Sequence, residues 1–309
     1  MLDYIVLVVG FILLIKGADY FVDGSASVAK KLRVPTMIIG LTIVAMGTSA
    51  PECAVSIAAS VKGSNTMAIS NVIGSNIFNL MVVCGACALF TPLAVKASTL
   101  KQEFPLSILA ALMLLAMGYF GMSIGRMDGV ILLVVFTAFL VWMVMSAKKA
   151  RANTEQEEIE TLPAWKCLLF IIGGIAAIVI GGDFVVDSAS NIAERFGLSP
   201  TLIGLTVVAF GTSLPELVTS LVAAKKGETD MALGNVIGSN LFNILLVLGI
   251  AGAVSPMAVL MENIIDDIIL IAVSALVWIF AWRKQKLSRI HGVIMLAVYA
   301  VYVVYICMR

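Results

Sequence analysis

The sequence predicts an all-α membrane protein of ten transmembrane helices, arranged as two inverted five-helix repeats with broken motif helices. Three observations predict it. Hydrophobic residues make up 61% of the 309 and charged residues 13%, against about 45–50% apolar in soluble domains, so a water-facing surface could not be assembled. Ten apolar runs are long enough to cross a hydrocarbon core of about 30 Å. Finally, the segment Gly40 to Asn79 returns 164 positions later as Gly204 to Asn243, without a gap and with 24 identities in 40 positions, which marks an internal duplication.

The runs fall near 2–29, 36–61, 66–90, 104–122, 127–147, 164–193, 200–224, 230–254, 264–282 and 290–308. The first carries Lys16, Asp19 and Asp23 and has no small-residue cleavage site, so it reads as a spanning helix and not a signal peptide. The second, third, seventh and eighth contain the duplicated segments and are interrupted by Gly and Pro. Residues 148–163 (KKARANTEQEEIETLP) form a charged linker between a first repeat, 1–147, and a second, 164–309. It is too short to fold by itself, and its Glu run reads as a solvated face or hinge.

Five spans per repeat is an odd number, so the two repeats must cross in opposite directions. The basic residues agree with this. With both termini outside, the inner side holds fifteen Lys and Arg and the outer side four, Lys62, Arg126, Arg195 and Arg309, leaving out Lys16 within a span. A net charge of +1 gives no reason to expect a nucleic-acid partner; the partner of this surface is the lipid bilayer. Five cysteines within or beside apolar runs imply no disulfide framework, and Cys84 and Cys87 read as small packing residues.

The polar residues are what repeat best: Gly-Thr-Ser-x-Pro-Glu at Gly47–Glu52 and Gly211–Glu216, then Gly-Ser-Asn-x-Phe-Asn at Gly74–Asn79 and Gly238–Asn243. A carboxylate at the centre of a spanning helix costs about 2.5–3.5 kcal/mol, and Glu52 and Glu216 lie at equivalent depth in the two halves. Neither motif helix offers a central base to pair with them, so they point to a functional site. Pro51 and Pro215 lack the backbone N–H and clash with the carbonyls of Gly47 and Gly211, so each helix opens beside its acid. Thr48, Ser49, Thr212 and Ser213 add hydroxyls in the same turn, and Ala45 and Ala209 could offer carbonyls one turn earlier. Ser75 with Asn79, and Ser239 with Asn243, are four apart and share a face. Asn76 and Asn240 lie off that face and help to pack or cap the break. Several oxygens, two of them carboxylate, describe a site for a hard cation such as Ca²⁺ or Na⁺ rather than zinc or copper.

These motifs, twice over in ten spans, resemble the sodium/calcium exchanger family of the calcium/cation antiporter superfamily, prokaryotic type. The resemblance implies a non-enzymatic secondary antiporter of the plasma (cell inner) membrane, without a cofactor, exchanging Na⁺ for Ca²⁺ by alternating access. It implies that Glu52 and Glu216 anchor Ca²⁺, and that Thr48, Ser49, Ser75, Asn79, Thr212, Ser213, Ser239 and Asn243 share the Ca²⁺ and Na⁺ sites, with the carbonyls of Ala45 and Ala209 on Na⁺. It further implies that the first and sixth spans slide as a pair over an eight-helix core. Some family members have Asp where this chain has Asn243, and Ser70 replaces the glycine that Gly234 supplies in the second copy, a change expected to affect packing only. Two carboxylates cannot cross a hydrophobic barrier bare, so Ca²⁺ one way must be coupled to Na⁺ the other way. Protons are a third neutraliser, which keeps a proton-coupled Ca²⁺ antiporter as the neighbouring reading, with a passive cation channel further off. Lys16 is expected to pair with Asp19 or reach for the interface, and Asp19, Asp23, Asp183 and Asp187 to be structural.

Overall fold

The computed structural model describes residues 2–61, 65–152, 161–197 and 209–308. Lys62, the whole Glu run and the start of the seventh predicted span, through residue 208, lie outside the described residues. Among the described residues, eight helices are long and apolar enough to cross a membrane. They are α1 (Leu2–Leu32), α4 (Ala68–Phe90), α5 (Ala97–Gly121), α6 (Arg126–Ala152), α7 (Ala164–Arg195), α9 (Thr229–Val254), α10 (Met261–Lys284) and α11 (Arg289–Met308). The second predicted span is a bent pair, α2 (Thr36–Thr48) and α3, which begins at Ala50 and ends at Val61, with 47° between them. The seventh is described from the turn Ala209–Gly211 and α8 (Leu214–Lys225). Four two-residue strands complete the order: β1 (Leu93–Ala94), β2 (Ser123–Ile124), β3 (Met257–Ala258) and β4 (Lys286–Leu287).

The structure moves two boundaries, the first being the start of the fourth span, expected near 104 and found at Ala97. The fifth span was expected to end near 147, but α6 continues to Ala152 through Lys148, Lys149 and Arg151. Charged residues look like a loop by hydropathy, yet Lys and Arg are good helix formers, and cations in a last turn face the negative end of the helix dipole.

Helices α4 and α9 sit at the centre, buried over most of their length, while α1, α6, α7 and α11 expose most of theirs. The exposed side chains include Ile5, Ile12, Val134, Val141, Leu168, Ile172, Val301 and Val304. Such an apolar exterior is what lipid, not water, accommodates.

Helices α1 and α7 pack against each other along their length. Gly10 and Gly17 lie a heptad apart on α1, and a Cβ on either would come within 3.0 Å of the α7 backbone, at the carbonyls of Gly181 and Gly174 respectively. Small residues let two membrane helices approach this closely, and the contact is then backbone against backbone.

Two cross-chain ladders tie the loops at the helix ends. β1 pairs with β4, Leu93 opposite Leu287, and β2 pairs with β3, Ile124 opposite Met257, both antiparallel.

Asp19 pairs with Lys226 beyond the end of α8 (2.6 Å), and so does Asp23 (2.7 Å), so of the two roles expected for Lys16 the pairing with Asp19 is not the one found. One turn of α1 puts both carboxylates on the same side, and Lys226 reaches them across the gap between helices. Partial burial pulls the Lys226 ammonium down, and the two carboxylates more than offset it, leaving it above the ordinary lysine range. The cluster is partly exposed, so Lys226→Met should cost no more than about 1 kcal/mol. A thermal melt of the detergent-solubilised protein at low and high salt checks this, the difference from wild type shrinking as salt rises.

Candidate ion-binding site

Both acids enter the centre in the same local way. Ser49 and Ser213 leave the helical conformation, with ψ of 8° and 7°. α3 and α8 then start with Pro51 and Pro215 in the first turn, where a missing N–H costs no hydrogen bond, and with Glu52 and Glu216 in that same turn. Ser-x-x-Glu is the spacing of a helix capping box, but the hydroxyls are used across the molecule instead. Ser49 Oγ donates to Glu216 Oε1 at 2.8 Å, and Ser213 Oγ donates to Glu52 Oε1 at 3.1 Å. Each half therefore holds the acid of the other half. Both carboxylates and both serines are fully buried.

The central helices supply the remaining groups. α4 and α9 each carry a π-helical turn that begins at the motif asparagine, Asn79–Val83 and Asn243–Val247, and a third, Gly40–Val44, precedes Ala45. Single π turns insert one residue into an α-helix and often mark functional sites. Ser239 Oγ reaches Glu216 Oε1 at 3.4 Å. Ser75, its repeat mate, is buried one turn before Asn79.

Several buried oxygens here have no hydrogen-bond partner among the described residues. They are Glu52 Oε2, Glu216 Oε2, Asn79 Oδ1, Asn243 Oδ1 and Thr212 Oγ1. An unsatisfied buried polar group costs about 1–3 kcal/mol, more when charged. The first four belong to two pairs of repeat mates, so this is a built arrangement rather than one misplaced side chain. All four are acceptors, and a desolvated cation is what a convergent set of acceptors can satisfy.

The other expected ligands are placed as follows. Thr48 Oγ1 donates to Asn235 Oδ1 at 3.0 Å and lies 3.2 Å from the Val44 carbonyl. The Ala45 carbonyl accepts from Ser49 N at 3.0 Å, an intrahelical bond that uses one of its two lone pairs. Ala209 opens the turn Ala209–Gly211.

Three residues beside the site carry more than the sequence assigned to them. Asn235 takes the Thr48 hydroxyl and donates to Ser220 Oγ at 2.9 Å, joining the two broken spans. Asn76 and Asn240, expected to pack or cap, instead bond across the two halves to the site asparagines, Asn243 Nδ2 to Asn76 Oδ1 at 3.1 Å and Asn79 Nδ2 to Asn240 Oδ1 at 3.2 Å. Their presence in both copies was the available signal. Ser70 is exposed, and its hydroxyl accepts from Asn263 Nδ2 at 2.9 Å.

The family model for sodium/calcium exchanger proteins matches residues 2–145 and 166–308. The chain belongs to the sodium/calcium exchanger family. This exchanger is 32% identical over 342 residues to the sodium/calcium exchanger MaX1 of Methanosarcina acetivorans, covering 98% of this chain and 97% of that protein. It is 35% identical over 288 residues to the inner membrane protein YrbG of Escherichia coli, covering 90% of this chain and 88% of that one. A solved structure of the sodium-calcium exchanger NCX_Mj, soaked with Na⁺ and Sr²⁺, superposes with a TM-score of 0.86 at 34% identity over 98% of each chain. The protein is thus an all-helical, multi-pass membrane antiporter of the prokaryotic exchanger type, and its relatives are transporters rather than enzymes.

Proposed function

We propose that this exchanger moves Na⁺ against Ca²⁺ by alternating access, with the cations bound mid-membrane between Glu52 and Glu216. The observation that carries the reading is the set of buried, unpartnered oxygens on Glu52, Glu216, Asn79 and Asn243. Thr48, Ser49, Ser75, Thr212, Ser213, Ser239 and the carbonyls of Ala45 and Ala209 complete the ligand set. An uncompensated pair of buried carboxylates cannot move past an apolar barrier, whereas one Ca²⁺, or several Na⁺, neutralises them. Switching is therefore confined to loaded states, and that makes the device an exchanger instead of a leak.

The same reading takes the chain as ten spans in two inverted repeats, 1–147 and 164–309, joined by the linker 148–163, whose first five residues continue α6. The strand pairs support it by parity. Leu93 and Met257 are repeat mates, 164 apart, but Leu93 pairs with Leu287 and Met257 with Ile124. One span, α5, separates Leu93 from Ile124, so the two ladders lie on opposite faces, and equivalent loops end on opposite sides. Ion pairs fall in line with this, Asp3 with Arg195 on the predicted outer side and Lys96 with Asp230 on the predicted inner side. With the basic residues taken as inside, both termini are proposed to lie outside, and an inner membrane is the location proposed.

Proteoliposomes test the coupling. An outward Na⁺ gradient should drive radiocalcium uptake at clamped membrane potential, and uptake driven equally by a pH gradient without Na⁺ would decide for the proton-coupled alternative. Uptake with no counter-ion at all would make the protein a channel. Ser49→Ala and Ser213→Ala should each raise the KM for Ca²⁺ about tenfold or more, since each removes a ligand and a hydrogen bond to a charged group, worth about 1.5–3 kcal/mol. Concentration dependence of the same uptake checks this.

A further inference from the structure

We propose that Asn76 and Asn240 are positioning residues for transport. Each holds the side-chain amide of the opposite half's site asparagine so that its carbonyl oxygen, and not its NH₂, is left for the cation. The inference rests on the cation-site reading above and adds residues that do not themselves touch the ion.

Two backbone carbonyls fix the orientation of the amides. Asn76 Nδ2 donates to the Asn240 carbonyl at 3.2 Å, and Asn240 Nδ2 donates to the Asn76 carbonyl at 3.3 Å. A carbonyl can only accept, so this reciprocal pair fixes which end of each amide points where. With its NH₂ committed, Asn76 presents Oδ1 to Asn243, which must answer with Nδ2, and Asn240 presents Oδ1 to Asn79 in the same way. The Oδ1 atoms of Asn79 and Asn243 are then left over, and these are the ones found buried and unpartnered. All four asparagines are buried to within 1%, so water offers no alternative partner. Every link joins one half of the molecule to the other.

The consequence is electrostatic. An amide turned by half a rotation about its last torsion fills the same space but aims two positive hydrogens, not an oxygen, at a cation. Without the network nothing holds Asn79 and Asn243 against the orientation that turns their hydrogens toward the cation. Residues that orient a metal ligand without touching the metal typically account for 10–100-fold in affinity.

The experiment uses a property of carboxylates, which present oxygen at both ends. Asn76→Ala should raise the KM for Ca²⁺ in proteoliposome exchange about tenfold, with the maximal rate within about twofold of wild type. Adding Asn243→Asp to that variant should bring the KM back down, since an Asp at 243 needs no orientation. Asn243→Asp alone should be worse than the double variant, because one of its oxygens then faces Asn76 Oδ1 with no hydrogen between them. The mirror set, Asn240→Ala with Asn79→Asp, repeats the test should the first fold poorly. An unchanged KM in both alanine variants, or no recovery on adding Asp in either set, including alanine variants that misfold and stay misfolded, overturns the proposal. Its failure is distinct from failure of the site itself: retained exchange in Glu52→Gln and Glu216→Gln would remove the site, whereas exchange lost there and KM unmoved here removes only the positioning role.

Discussion

Glu52→Gln and Glu216→Gln should each abolish Na⁺-driven Ca²⁺ uptake, by at least a thousandfold at limiting Ca²⁺. Gln fills the same volume and keeps an oxygen for the serine hydroxyl that Glu52 and Glu216 each accept from the other half, so the fold is not the casualty. What goes is one negative charge in a buried site. Two unit charges 4 Å apart at an effective dielectric of about 20 interact by about 4 kcal/mol, or roughly three decades in affinity, and Ca²⁺ carries two charges. The two variants should also behave oppositely to wild type in a melt. Without cations they should unfold at the same or a higher temperature, because a buried charge without compensation is gone. With Ca²⁺ at a hundred times its Kd, wild type gains about 2.7 kcal/mol and the variants gain little. Uptake retained in both variants, or an equal Ca²⁺-induced shift in all three proteins, would refute the site.

Gly238→Ala should be severely destabilising. A Cβ on Gly238 would lie 2.7 Å from Ala45 Cβ and 2.8 Å from Leu41 Cα and its carbonyl, where α9 crosses α2. Backbone cannot step aside, so the helices must separate. Overpacking of this kind commonly costs 1–3 kcal/mol, and here it also pulls on the crossing that carries Ala45 and Thr48 toward the proposed site. Thermal unfolding and monodispersity in detergent check this, and a melting temperature unchanged from wild type would refute the close crossing.

Much of the site was legible because membrane burial makes polar residues costly. Glu52 and Glu216 stood out as charges in apolar runs, and Pro51 and Pro215 marked the breaks that the structure puts at Ser49 and Ser213. What the motif spacing left unread was who holds whom. Ser49 and Ser213 sit three residues before their own acids, so local reasoning makes them neighbours in one turn, yet each bonds the acid of the other half. Asp19 stands three residues from Lys16 but pairs with Lys226, because the partner across a helix interface is not encoded in sequence distance. Asn76 and Asn240 were judged by the face of their own helix, and their bonds run to the opposite helix.

The amino-acid order by itself determined that this chain lives in lipid, that it is one unit written twice, and that two acids with their oxygens gather where the helices break. Hydropathy, self-similarity and the cost of a buried charge are all readable along a single line of residues. Only the tertiary structure decided that each half's serine serves the other half's glutamate, that Gly238 is packed tight against Leu41 and Ala45, and that four amides interlock across the middle. Two nearly identical segments carry nearly identical local preferences, so any difference between them, and any bond from one to the other, arises from how they are set against each other in space.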